Sequence, residues 1–177
     1  KKFGEAGIIT ANNVFAHIDD LNDFVHGVRE LLSEDGIFVF EVSYLADVIN
    51  DLLFDTIYHE HLSYHSVIPL ISFFEKNEMT LIEANRIDSH GGSLRCVAKL
   101  KKNLKLHVRE SVENCVKLEK KMGLNKIDTY RDFFTRIENK KNELHELFTK
   151  LKSENKTIIG FGAPAKATTF MYQFCID

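Results

Sequence analysis

The sequence predicts a doubly wound α/β protein. A short apolar strand at residues 8–11 is followed by an amphipathic helix, and a continuous apolar run covers residues 37–40, with Val42 shortly after it. An apolar run without alternation is typical of a strand that is covered on both faces, as in a parallel sheet. Strand, helix and strand at this spacing form a βαβ unit, which is the building block of a doubly wound fold.

The first helix is predicted from the spacing of its apolar residues. They recur at i, i+3, i+4 and i+7, so that one helix face is buried: Leu21, Phe24, Val25, Val28, Leu31 and Leu32. Asp19 or Asp20 can accept backbone N–H bonds where the helix begins. The loop at residues 12–17 therefore lies just beyond the carboxyl end of the first strand.

The middle of the chain predicts two more helices and two more strands. The helices cover residues 45–53 and 67–76, and the strands cover residues 80–84 and 94–100. A short polar loop at residues 88–93 joins these two strands. This order is consistent with a sheet whose last two strands run as an antiparallel pair.

From residue 103 onward the sequence predicts two long amphipathic helices. The first would place five apolar residues on one face: Leu104, Val108, Val112, Cys115 and Met122. The second would run from Tyr130 to Leu151. Positions between residues 101 and 156 are rich in Lys and Glu, which is typical of a solvated helical face. We therefore expect a two-helix connector.

Residues 157–161 are apolar and predict a further strand. The sequence from Gly160 to Ala165 then fits the pattern G-x-G-x-x-A, and Pro164 suits the first turn of a helix. Such a turn can direct backbone N–H groups at a phosphate, and Lys166 adds a positive charge there. A tight strand-to-helix turn requires the same glycines without any ligand, so the motif alone leaves both interpretations open.

Composition excludes several classes of function. The formal net charge of −3 argues against a dedicated nucleic-acid binder. No apolar run reaches the roughly 18–20 residues that a membrane span needs. The three cysteines are far apart, which favours free thiols in a reducing compartment. We expect a cytoplasmic protein, and the missing initiator Met and uncapped apolar end suggest a fragment of a longer chain.

The densest chemistry lies at residues 55–64, which carry two imidazoles, two carboxylates and two phenols. Burying an unpaired polar group costs about 1–3 kcal/mol, so this segment lies on the surface or lines a wet cleft. Tyr58, Glu60 and His61 offer a phenol, an acid and a base for proton transfer. A solvated, His-rich loop is the alternative. Without a CxxC or HExxH pattern, no metal site is expected here.

Four segments together resemble one family, and nearly the whole chain is covered. They are Ala-Asn-Asn-Val-Phe-Ala-His at 11–17, Phe-Asp-Thr-Ile-Tyr-His-Glu-His followed by Ser-Tyr within 54–64, His-Gly-Gly-Ser-Leu-Arg at 90–95, and Gly-Phe-Gly-Ala-Pro-Ala-Lys at 160–166. The chain resembles S-adenosylmethionine-dependent nucleotide-sugar C-methyltransferases, which act on 4-keto-deoxysugars. Members of that family have a zinc-binding N-terminal region, a methyltransferase domain and a Rossmann-like C-terminal domain.

The resemblance implies a division of the chain into three parts. Residues 1–100 would be the second half of a Rossmann-like class I methyltransferase sheet, beginning at its fourth strand. Residues 101–155 would be the helical connector, and residues 156–177 would start the C-terminal Rossmann-like domain. Zinc is expected only in the N-terminal region that this chain lacks.

The resemblance also implies catalytic roles. His61 is the predicted base that removes a proton from the carbon beside the ketone, and Glu60 would orient the base or the sugar. Tyr58 would donate a hydrogen bond to the charge that develops on oxygen. His17 lies beyond the carboxyl end of a parallel strand, where ligands of such sheets bind. Its alternative is a surface histidine that flanks a helix.

Further residues are predicted to bind the cosubstrate and the substrate. S-adenosylmethionine would be contacted by four residues after the first strand: Asn12, Asn13, Val14 and Ala16. The nucleotide sugar would be contacted by seven residues: Tyr64, His90, Ser93, Arg95, Gly162, Ala163 and Lys166. Simpler interpretations remain for several of them, since the asparagines can shape a turn, the paired glycines can connect two strands, and the cations can lie in solvent.

The sequence therefore predicts methyl transfer from S-adenosylmethionine to a carbon next to the ketone of a nucleotide-linked 4-keto-deoxysugar, through an enolate. Two alternatives fit the same scaffold. One is methyl transfer to oxygen or nitrogen, which needs no enolate. The other is a non-catalytic module that binds a nucleotide sugar.

Overall fold

The computed structural model describes residues 4–103 and 107–176. Within these ranges four strands form one mixed sheet: β1 (Ala6–Asn12), β2 (Leu32–Ser43), β3 (Met79–Ile87) and β4 (Ser93–Leu100). The spatial order is β1-β2-β4-β3. Strand β1 pairs parallel to β2, whereas β4 runs antiparallel to both β2 and β3. The predicted α/β fold and its antiparallel last pair are confirmed.

Six α-helices accompany the sheet in the described ranges: α1 (Leu21–Leu31), α2 (Leu45–Asn50), α3 (Val67–Lys76), α4 (Glu110–Met122), α5 (Ile127–Ser153) and α6 (Ala165–Phe174). Asp20 caps α1, and its carboxylate accepts from the backbone N–H groups of Asn22 at 2.9 Å and Asp23 at 3.0 Å. Since β1, α1 and β2 follow in order, the predicted βαβ unit is present.

The core lies on one face of the sheet, under α1, α3 and α4. The expectation that β2 is covered on both faces is therefore wrong, since Ile37 and Val39 on the other face are only partly buried. Strands β2 and β4 direct alternate side chains into it, and these are almost fully buried: Phe38, Phe40, Val42, Leu94, Cys96 and Ala98. A short 3₁₀ turn at Phe15–His17 follows β1. Phe15 packs against Phe40 with ring centroids 4.9 Å apart, and it also contacts Phe74 of α3. This aromatic packing fixes the turn against the end of the sheet.

Two expectations about secondary structure are wrong. Residues 157–161 form no strand, because no described strand pairs with them and their apolar side chains face solvent, as shown by Ile159 with 83% exposure. The helix after them is present, with Pro164 as the residue that caps it. In the connector, α4 begins only at Glu110, so that Val108 lies outside the helix, and Leu104 lies outside the described residues.

The connector helices pack against the rest of the protein. Helix α4 lies against β3 and α3. Phe133 and Ile137 of α5 join a second apolar cluster with Val48, Ile49 and Phe174. The predicted domain limits at residues 100 and 155 stay predictions.

Candidate active site

The first part of the site is the loop that leaves β1. Asn13 adopts a left-handed backbone conformation with φ of 53°, and its N–H donates to the carbonyl of Glu41 on β2 at 2.9 Å. The buried ring of Phe15 then anchors the 3₁₀ turn. These contacts place His17, which is exposed, just beyond the carboxyl ends of the two parallel strands.

The second part is the segment between α2 and α3. Its Leu62 N–H donates to the carbonyl of Ala16 at 2.9 Å, which ties the segment to the loop after β1. As a result the rings of His17 and His61 lie 5.1 Å apart between centroids, although the residues are far apart in sequence. Tyr58 and Tyr64 complete the cluster, with ring centroids 4.7 Å and 6.2 Å from that of His61.

Backbone carbonyls set the tautomers of both histidines. The Nδ1 atom of His61 lies 2.8 Å from the carbonyl oxygen of Thr56, and Nδ1 of His17 lies 2.6 Å from the carbonyl oxygen of Glu60. A carbonyl oxygen can only accept, so each Nδ1 must carry the hydrogen. Each neutral ring therefore keeps its lone pair on Nε2, which is the atom that can accept a proton.

The phenol of Tyr58 is held in the donor state. Its Oη donates to a carboxylate oxygen of Glu60 at 3.3 Å. Burial, and then the charge of Glu60, raise the pKa of Tyr58 above its usual value. Tyr64 shares the acceptor of His61, since its Oη donates to the Thr56 carbonyl at 3.1 Å, and burial raises the pKa of Tyr64 as well.

Sequence reasoning did not assign His65, which the structure places directly behind the cluster. Its ring is buried against Phe15, and its Nε2 lies 3.0 Å from the hydroxyl of Ser63. Burial lowers the pKa of His65 to about 4, so this imidazole is neutral at physiological pH. The sequence offered one sign that His65 is buried: it lies between a polar segment and the apolar start of a helix.

The residues predicted to bind the cosubstrate lie together at the carboxyl end of β1. Asn12, Asn13 and Val14 expose their side chains, whereas Ala16 is buried and its carbonyl is engaged by Leu62. Exposed carboxamides at this edge can bind a polar ligand. Their role remains a prediction.

The three residues predicted to bind substrate at the β3–β4 loop differ in exposure and in their partners. His90 is exposed in a left-handed turn with φ of 51°. Ser93 is completely buried and its hydroxyl donates to the carbonyl of Ser89 at 3.0 Å, which leaves it no surface for a ligand in this arrangement. Arg95 pairs with the buried carboxylate of Glu41 at 3.1 Å.

Gly92 meets a steric requirement of the same loop. A Cβ at this position would lie 2.6 Å from the Cβ of Asp47 in α2. Asp47 is itself buried and paired with Arg86 of β3, and burial raises the pKa of Asp47 although the guanidinium opposes this shift. The glycine is therefore explained by close packing between the loop and α2.

The predicted phosphate turn lies at the start of α6. Gly162 and Ala163 are exposed, and Lys166 is partly buried in the first turn of the helix. The hydroxyl of Thr169 lies 3.4 Å from the carbonyl oxygen of Ile57, next to Tyr58. The first half of α6 therefore runs beside the segment that carries His61.

Two kinds of feature are absent from the part of the chain that the structure describes. Residues 4–103 and 107–176 contain no group of three or more His, Cys, Asp or Glu side chains that could hold a metal ion. In the same ranges no helix combines the length and the apolarity that crossing a bilayer requires.

Comparison with known proteins identifies relatives. The profile of a family described as "C-methyltransferase C-terminal domain" matches residues 88–177, just over half of the chain. The C-methyltransferase NovU of Streptomyces niveus is 34% identical over 170 residues, which make up 96% of this chain. The chain spans 40% of the length of that relative.

Solved structures give weaker likenesses. Magnesium protoporphyrin IX methyltransferase from Synechocystis PCC 6803, with bound SAH, is 9% identical with a TM-score of 0.41, over 54% of this chain and 45% of that one. A pericyclic reaction enzyme is 9% identical with a TM-score of 0.43, over 55% of this chain and 27% of that one. Likenesses at this level carry no argument about function.

A mixed sheet with imidazoles and phenols beyond its parallel strand ends defines an α/β protein with a candidate ligand site at that edge. The family profile makes the assignment specific. The chain belongs to the C-methyltransferase family.

Proposed function

We propose that the protein transfers a methyl group from S-adenosylmethionine to a carbon beside the ketone of a nucleotide-linked 4-keto-deoxysugar, with His61 as the base. One observation carries the proposal: His61 donates through Nδ1 to the Thr56 carbonyl at 2.8 Å and keeps Nε2 free. Family membership supports methyl transfer to carbon. Such a transfer requires a carbon nucleophile, which a base beside a ketone can generate.

The proton balance is simple. The Nε2 atom of His61 takes the proton from the carbon next to the ketone, and the electron pair of that C–H bond forms the enolate. When substrate is bound, the single O–H of Tyr58 would turn from the Glu60 carboxylate to the enolate oxygen, and a phenol with a raised pKa can donate there without losing its proton. The carbon would then attack the methyl group in line while the methyl–sulfur bond breaks. The electron pair of that bond would stay on sulfur, and the demethylated donor would leave; the protein assists this step by positioning.

Glu60 has two positioning roles in this scheme. Its carbonyl accepts from His17, and its carboxylate accepts from Tyr58 until a substrate oxygen replaces it as the acceptor. The Nδ1 contact of His17 also leaves its Nε2 available to accept a hydrogen bond from a sugar hydroxyl. The two histidine rings are close enough to contact one substrate.

S-adenosylmethionine would lie at the carboxyl end of β1. The exposed carboxamides of Asn12 and Asn13 fit the polar groups of this cosubstrate, which supplies the electrophilic methyl group when bound. The turn at Gly162 and Ala163, with Lys166, would face the diphosphate of the sugar nucleotide.

The test follows deuterium uptake from heavy water beside the ketone of a 4-keto-6-deoxy nucleotide sugar. Mass spectrometry would compare the full-length protein with His61→Ala, first without donor and then with the demethylated donor product. We expect uptake in the wild type and a loss of roughly 100-fold or more in His61→Ala. His26→Ala, which changes an exposed histidine of α1, is the matched control and should keep the wild-type rate.

Each outcome separates the alternatives. Equal uptake in His61→Ala and wild type would place the base elsewhere, with His17 as the next candidate. Absence of uptake in the wild type under both conditions would exclude the enolate and favour transfer to oxygen or nitrogen, or a binding module.

A further inference from the structure

The segment that carries His61 is held at both ends by charged side chains from the connector helices. This catalytic segment, residues 51–66, joins the end of α2 to the start of α3. Helix ends expose backbone groups that lack partners within the helix. In this protein two of these ends receive their partners from α4 and α5.

The start of α3 is not capped in the usual way. An N-cap side chain bonds the N–H of the second or third helical residue. Ser66 occupies the N-cap position but makes no such bond, and the third residue is Pro69, which has no N–H. Glu119 of α4 takes over this function. Its carboxylate accepts from the N–H groups of Val67 at 2.5 Å and Ile68 at 3.0 Å.

The same carboxylate extends the connection to the start of α2. Glu119 is 1% exposed, and it also accepts from the hydroxyl of the fully buried Tyr44 at 2.9 Å. Tyr44 forms a β-bridge with His65, and the next residue, Leu45, donates its N–H to the His65 carbonyl at 2.9 Å. Glu119 therefore fixes the last residues of the catalytic segment.

Arg136 of α5 binds the other end. Its guanidinium donates to the carbonyls of Ile49 at 2.9 Å and Asn50 at 2.7 Å, the last two residues of α2. A cation at a helix C-terminus satisfies free carbonyls and opposes the negative end of the helix dipole. The catalytic segment begins at the next residue.

We propose that Glu119 and Arg136 are positioning residues for the reaction, one at each end of the catalytic segment. They hold the Thr56 carbonyl where it fixes the His61 tautomer, and they touch neither substrate nor cosubstrate. This inference rests on the proposed function. It assigns to the connector a role in catalysis besides joining two parts of the chain.

The expected effect is on rate. A misplacement of about 1 Å at a reacting group can cost roughly 100-fold. Arg136→Ala and Glu119→Gln should therefore lower the maximal deuterium uptake rate per folded molecule roughly 10- to 100-fold, with half-saturation changed less than about 3-fold. Arg136→Lys should recover part of the rate, because one ammonium can still donate to a carbonyl.

Matched controls lie on the same two helices. Glu113→Ala on α4 and Arg131→Ala on α5 remove exposed charges that pair with a neighbour on their own helix. Both should retain the wild-type uptake rate. The amplitude of the unfolding transition gives the amount of folded protein in each sample. Each uptake rate is divided by that amount, so that a variant that folds less well is not counted as slower.

A second readout does not depend on activity. Amide hydrogen exchange followed by mass spectrometry should show faster exchange in residues 51–66 for Arg136→Ala and Glu119→Gln, and unchanged exchange for the two controls. Unchanged rates per folded molecule, or unchanged exchange in this segment, would overturn the inference. If the wild type takes up no deuterium, the proposed function fails, and amide exchange alone decides whether the two residues hold the segment.

Discussion

The histidine cluster and the glycine-rich turn at residues 160–164 differ in how they are held. Backbone carbonyls fix the rings of His17 and His61, and the buried Phe15 anchors the turn that carries His17. The glycine-rich turn has no regular secondary structure, and the ring of Phe161 is fully exposed. Both segments carry a recognisable motif in the sequence. The structure holds the side chains of the histidine cluster by hydrogen bonds and packing, whereas the glycine-rich turn is exposed.

The largest difference is expected between two phenylalanines, one from each region. Phe15→Ala should lower the free energy of unfolding by about 3–5 kcal/mol, because a large buried ring leaves a cavity among its aromatic neighbours. Phe161→Ala should change it by less than about 0.5 kcal/mol. Urea unfolding measures both. Equal effects would mean that Phe161 is buried in solution.

The buried side of the cluster predicts a dependence on pH. Because the pKa of His65 is lowered from 6.5 to about 4, the unfolded chain binds the proton more readily than the folded one. The contribution of His65 to the free energy of unfolding is fully present above pH 6.5. It is lost as the pH falls towards 4, by roughly 3 kcal/mol in total.

Urea unfolding between pH 4.5 and 7 would test this in wild type and His65→Gln. Gln stays neutral and can still bond Ser63, so the variant should lose less stability on acidification than the wild type does. Carboxylates that titrate in the same range affect both proteins equally, so they cancel in the difference between the two free energies of unfolding. Parallel curves for the two proteins would contradict the prediction.

The smallest effect is expected at the turn, where two glycines can be compared. Gly162 has φ of +101°, so alanine would be strained there, whereas Gly160 has open space around it and no positive φ. If the turn binds the diphosphate, Gly162→Ala should raise the half-saturating sugar-nucleotide concentration up to about 10-fold at unchanged maximal rate. Gly160→Ala should have no effect. Equal half-saturating concentrations in both variants would mean that the turn does not bind the sugar nucleotide.

Much of the fold could be predicted because its signals are local. The bounds of α3 agree with the sequence prediction, and β1, α1 and β2 follow the predicted order. The close approach of His17 and His61 was also expected, since both were assigned to one substrate. Periodicity is enough for the helices and strands, whereas the meeting of the two histidines follows from the family resemblance and from the usual place of ligands at strand ends.

The errors concern partners that lie far away in the chain. Residues 157–161 have the composition of a strand, but a strand also needs a neighbour to pair with. Glu119 was included in a solvated helix face, although it follows Val112 and Cys115 at helical spacing on the buried side. Only the position of the α3 N-terminus, which composition does not reveal, explains a carboxylate there.

The position of β4 between β2 and β3 has a consequence for biosynthesis. Strand β2 pairs on one side with β1, and its other edge stays open until residues 93–100 have left the ribosome. Strand β3 emerges earlier, but its sheet partner is also β4. An unpaired strand edge is prone to associate with other chains. The nascent chain therefore exposes this edge until the strand that fills the gap has been translated.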